Sequence, residues 1–137
     1  MSNAATLMVA IAFISLPTIA YGGYFLLSIL KKQAGTEQIS SIQREYFKAG
    51  HAHAGVLVLL GIIGQIVLDY SSLDEGLVWL LRIGLFIAPL LVSGGFFGGA
   101  PRSIEDKPGR LVILIPIGAA VLSISTLGVG LGLLFSL

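Results

Sequence analysis

Cysteine is absent from this chain of 137 residues. That excludes disulfides, zinc–thiolate sites and iron–sulfur clusters, and it leaves the redox compartment unreadable. Charge is also scarce. Lys, Arg, Asp and Glu make up 11% of the residues, against roughly a quarter in a soluble domain. The net charge is +1, so there is no electrostatic footprint for nucleic acid. Nor is there a nucleophile elbow, an HExxH motif or a paired acidic cluster. Nothing matches a catalytic constellation, which makes an enzyme the less favoured reading.

What fills the chain instead is apolar sequence, 55% of all residues. It comes in four long runs, and runs of about 18 or more read as membrane spans. They cover residues 4–30, 41–69, 73–98 and 109–136, within one domain spanning 1–137. None shows the period-2 alternation of a barrel strand, and lipid demands that backbone groups be satisfied internally. The expected fold is therefore an all-α integral membrane protein. Its four transmembrane helices would form an antiparallel, up-down bundle in contact with the lipid bilayer.

Local signals mark the helix ends. "SSLDE" offers Ser72 as N-cap with Glu75 three residues on, a capping box. Pro108 stands near the start of the fourth run, where a missing N–H costs little. Pro17, Pro89 and Pro116 lie inside runs and are expected to kink them.

Orientation follows from the cations. Lys31, Lys32, Arg44 and Lys48 cluster around the first connection, and Arg102, Lys107 and Arg110 around the third. The positive-inside rule puts both connections in the cytoplasm and both termini outside. No basic segment precedes the first run, so it does not read as a cleaved signal peptide. The expected location is a prokaryotic-type cytoplasmic membrane, crossed several times. Trp79 and Tyr70 near one boundary, with Tyr21, Tyr24 and Tyr46 near the other, form aromatic belts.

Two features carry candidate chemistry. The first is "AGHAHAG", residues 49–55, which holds the only two histidines. On a regular helix His51 and His53 lie about 200° apart and cannot share one ion. His51 joins a stripe of Arg44, Phe47, Gly55, Val58, Ile62, Gln65 and Asp69, and polar groups so placed should face the bundle. His53 looks the other way, among small and apolar neighbours. A metal site would need further ligands, and Glu105 and Asp106 of the third connection are the candidates; His-x-His alone is a weak metal signal. Haem ligation inside one monomer is disfavoured, because axial ligands normally come from different helices. A haem shared across a homodimer, or held by one histidine, stays open. So do a protonation role near neutral pH and plain packing at the interface. If one histidine is functional, the seam favours His51.

The second feature is Arg82, the one charge well inside a span. Left unpaired it would cost at least about 2.5 kcal/mol, so it is expected to meet Asp69, with Gln65 as secondary partner. Such a trio serves either as an anion or substrate site or, more simply, as an ion pair aligning two spans.

Glycines at small-xxx-small spacing point to close helix contacts, within the bundle or between copies. Gly94 with Gly98, Gly95 with Gly99 and Gly128 with Gly132 are such pairs, and Gly55 is expected to admit a neighbour beside His51. The leading functional expectation is a non-catalytic accessory or structural subunit of a larger, energy-transducing membrane assembly. One rival is a metal- or haem-binding membrane protein with its site at the cytoplasmic end of the second span. The other is a small transporter or channel formed by a homo-oligomer.

Overall fold

A computed structural model describes residues 1–137. Four α-helices carry the chain and there are no strands: α1 (Asn3–Leu30), α2 (Ser41–Val67), α3 (Glu75–Gly99) and α4 (Leu114–Leu134). A 3-10 turn extends α2 over Leu68–Tyr70, and another leads into α4 over Arg110–Ile113. All four are long and apolar enough to cross a membrane.

The helix ends show which local signals prevailed. Ser2 caps α1, its hydroxyl accepting from Ala5 N at 3.1 Å. Ser40 caps α2 through a full capping box with Gln43, each satisfying one of the other's orphan donors. At α3 the cap is Asp74, not Ser72. Asp74 takes the extended backbone and accepts from Gly76 N at 2.9 Å. Ser72 is drawn off by the end of α4, its N–H donating to Ser136 Oγ and its hydroxyl to the Phe135 carbonyl. Pro116 also differs from expectation. It falls in the first turn of α4, just after the 3-10 segment, where a missing donor breaks little of the ladder. Pro17 and Pro89 do lie inside α1 and α3.

Glycine sets how closely α3 and α4 approach. A Cβ at Gly95 would stand 2.9 Å from Ile115 N, one at Gly99 the same distance from Val112 N, and one at Gly118 the same distance from Val92 N. Backbone thus meets backbone along this pair. Gly98 packs on Leu111, Gly128 on Leu81 and Gly132 on Leu73. Beneath them Leu68, Leu81 and Leu85 form the buried core, covered by Leu73, Val78, Leu122 and Val129.

Two expected packing glycines do not pack. A Cβ at Gly55 or at Gly94 would meet nothing within 4 Å. The reason at Gly55 is the phase of the seam. The α2 residues that line the gap toward α1 and α3 are His51, Ala54, Val58, Gly61 and Gln65. That alternation of 3 and 4 averages 3.5 residues and leaves Gly55 about 80° off its centre at 100° per residue. Gly94 borders a cavity instead of a helix.

Span hydroxyls mostly turn back on their own helix. Ser15 donates to Ala12 O, Thr18 to Ser15 O, Ser28 to Phe25 O, Ser123 to Ala119 O and Thr126 to Leu122 O. This is how a hydroxyl is satisfied where no water is available.

Candidate functional site

Polar chemistry gathers at two places along the groove between α1, α2 and α3. The first is built on Arg82, which is 2% exposed. Its Nη1 donates to the Gln65 carbonyl at 2.7 Å and to Gln65 Oε1 at 3.1 Å. Its Nη2 donates to Asp69 Oδ1. Gln65 completes the exchange, its Nε2 donating to the Arg82 carbonyl at 2.9 Å. The helical spacing of Gln65 and Asp69, four residues apart, puts both on the side of α2 that α3 presents Arg82 to. One participant has no obvious sequence signal. Ser2 donates to Asp69 through both its N–H and its hydroxyl. Asp69 thereby ties α1 as well as α3 to the end of α2. The cluster is closed, with both terminal nitrogens of the guanidinium and both carboxylate oxygens engaged.

The second place surrounds the histidines, and the structure separates them. α2 is continuous through residues 49–55, so the two rings leave it on different sides. His51 lies over the glycine pair of "YGGY" on α1. A Cβ at Gly22 would stand 3.3 Å from its Nδ1, and one at Gly23 3.3 Å from its Nε2. Two residues without side chains make a flat floor for the imidazole. Neither His51 nitrogen forms a hydrogen bond within the chain. His53 instead stacks on Phe96 of α3, centroids 5.0 Å apart and planes 25° from parallel. Its Nδ1 is 2.7 Å from the Ala49 carbonyl. An oxygen there can only accept, so Nδ1 carries the proton.

The other metal candidates do not complete a cluster of three with the histidines. Asp106 is turned into its own loop, accepting from Ser103 N at 3.0 Å, and Glu105 is exposed. A Gly109 N–H bond to the Gly99 carbonyl closes that loop on itself. No three His, Asp or Glu side chains come together anywhere in the chain.

His51 stands at one end of a cavity of about 320 Å³ between α1, α2 and α3. Ser15, Thr18, Gly22, Ser93 and Phe97 line it too, and none of its lining residues is charged. A narrower cavity of about 60 Å³ continues it toward Gln65, sharing Ser15, Val58, Pro89 and Leu90. Ser93 is the residue that sequence reading passed over. It is 8% exposed, and its Oγ has no hydrogen-bond partner. A serine in an apolar run gives no sign of whether its hydroxyl will bond back to the preceding turn, so nothing in the sequence distinguishes Ser93 from Ser123.

No protein-family model, curated protein or solved structure matches this chain. The site must be read on its own geometry.

Proposed function

We propose that this chain is a small, non-catalytic multi-pass membrane protein that serves as an accessory or structural subunit of a larger, energy-transducing membrane assembly. The observation that carries this reading is the fate of its charges. The one charged side chain deep in the bundle, Arg82, is held by Gln65 and Asp69, so it is not free to bind or activate a substrate. The connections, residues 31–40, 71–74 and 100–109, are too short to house an active site outside the bilayer.

The same reading takes the helices as an antiparallel, up-down bundle. Contacts at both ends of each neighbouring pair support it. Ser2 meets Asp69 while Gly22 meets His51. Arg82 meets Gln65 while Phe97 meets Gly50. Ser72 meets Ser136 while Gly99 meets Val112. With Lys31, Lys32, Arg44, Lys48, Arg102, Lys107 and Arg110 at one end, both termini are assigned to the outer side.

The test is purification from the native membrane in mild detergent, followed by native electrophoresis and mass spectrometry. The accessory reading requires stoichiometric co-migration with larger membrane subunits. Migration as a lone monomer or homo-oligomer overturns it.

A second reading keeps one specific observation. With Nδ1–H donated to Ala49 O, Nε2 is the nitrogen that His53 leaves without a partner, on an exposed ring, the arrangement by which a backbone carbonyl orients a ligating histidine. Haem or a transition metal held there needs its remaining ligands from a second copy or a partner subunit. A Soret band or stoichiometric metal, lost in His53→Ala, would establish it. A colourless, metal-free complex would eliminate it.

A further inference from the structure

The geometry points to a binding site, in the cavity between His51 and Ser93, for the flat head of a neutral, lipid-soluble ring carbonyl of the quinone class. This site belongs to the chain itself and does not depend on which assembly the chain joins. Four observations converge on it.

The first is the cavity. At about 320 Å³ it is at the small end of ligand pockets, roughly 300–1,000 Å³, which suits a single ring. The second is its polar pair. Ser93 Oγ is buried and unpartnered, although buried hydroxyls are as a rule hydrogen-bonded. His51 faces the same space with neither nitrogen bonded. Gly22, which lines the cavity with His51, stands beside Nδ1 of the ring. The hydroxyls of Ser15 and Thr18 already donate to their own helix, so the free donors are on opposite walls, one on α2 and one on α3.

Third comes the shape of the walls. Gly22 on α1 and Gly94 on α3 contribute no side chain, and a Cβ at Gly94 would meet nothing within 4 Å. Phe97 adds an aromatic face. The fourth is the absence of charge in the lining. An anionic headgroup would find no cation there, since Arg82 is spent at Asp69. A bare acyl chain would leave His51 and Ser93 as unsatisfied as before. A ring with carbonyl oxygens accepts from both walls and enters the space that Gly94 leaves open. Thr18, Leu90 and Phe97 are exposed as well as lining the cavity, so its mouth opens toward the side where lipid would lie.

The test uses the full chain in lipid nanodiscs and three probes: a decyl-substituted 1,4-benzoquinone, decylbenzene without carbonyls, and a short-chain diacylglycerol with ester carbonyls but no ring. Binding is read by calorimetry and by the ¹⁵N resonances of the two histidines. The benzoquinone should bind and shift His51 but not His53. Ser93→Ala and His51→Phe should each weaken it about fivefold to tenfold, the worth of one hydrogen bond. Gly94→Leu, which fills open space, should abolish binding while the protein still folds and still holds the Arg82 cluster. Equal binding of decylbenzene, or Ser93→Ala binding as tightly as the wild type, would show an apolar crevice and overturn the site. Equal binding of the diacylglycerol would overturn the ring.

Discussion

The two polar regions of this molecule are built on the same three helices and treat their polar atoms in opposite ways. Around Arg82 both terminal guanidinium nitrogens find acceptors and α1 is drawn in through Ser2. Around His51 and Ser93 the donors stand free and the space is open. A buried arginine left unpaired is too costly to tolerate, whereas one idle serine hydroxyl is not. The closed region therefore reads as a fastener. The open region is where binding capacity remains.

This contrast predicts a ranking of mutational effects. The largest belongs to Asp69→Leu, which strands a buried guanidinium and should destabilise the protein by about 3–5 kcal/mol. The double variant Asp69→Leu with Arg82→Leu should regain much of that loss, because no charge is left stranded. Reversible unfolding in mixed detergent measures both. If the double variant is as unstable as the single, the cluster is more than a fastener. Next comes Gly95→Leu. Its side chain would be driven into the backbone of Ile115, an overpacking worth about 1–3 kcal/mol. Its neighbour Gly94→Leu should cost under about 0.5 kcal/mol by the same assay, since it enters the cavity. Two adjacent glycines with the same substitution thus separate closed from open space. The smallest effect is Ser93→Ala, within about 0.5 kcal/mol of wild type, because no hydrogen bond is lost. A larger loss would mean that Ser93 is already engaged.

Much of the framework could be read before any coordinates. Long apolar runs located the helices to within a few residues, because a span must be long and continuous whatever it packs against. The juxtaposition of Arg82 with Asp69 and Gln65 followed from scarcity, since a lone intramembrane cation has few partners to choose from. What was illegible depended on neighbours. Ser72 and Asp74 both offer a cap, and the end of α4 took Ser72. Gly55 looked like a contact because His51, Val58 and Gln65 fit two stripes of the same period, and the helices meet on the side of Ala54 and Gly61 instead of the side of Gly55. Glycine pairs announce closeness without saying to what, so Gly94 and Gly95 were indistinguishable. The unpartnered Oγ of Ser93, and the Phe96 ring under His53, are products of how three helices meet, and no single run of sequence contains them.

The reach of Ser2 to Asp69 has a consequence for how the protein is made. Ser2 is 80 positions from Arg82 along the chain, so the first helix enters the bilayer long before the cation that completes its anchorage has been synthesised. Asp69 then follows at the tail of the second helix, still lacking its counter-ion. Helices inserted one by one associate only afterwards. The fastener therefore closes in two stages: Ser2 on Asp69 can join the first two helices, and only the arrival of α3 supplies Arg82 and neutralises the carboxylate that holds them.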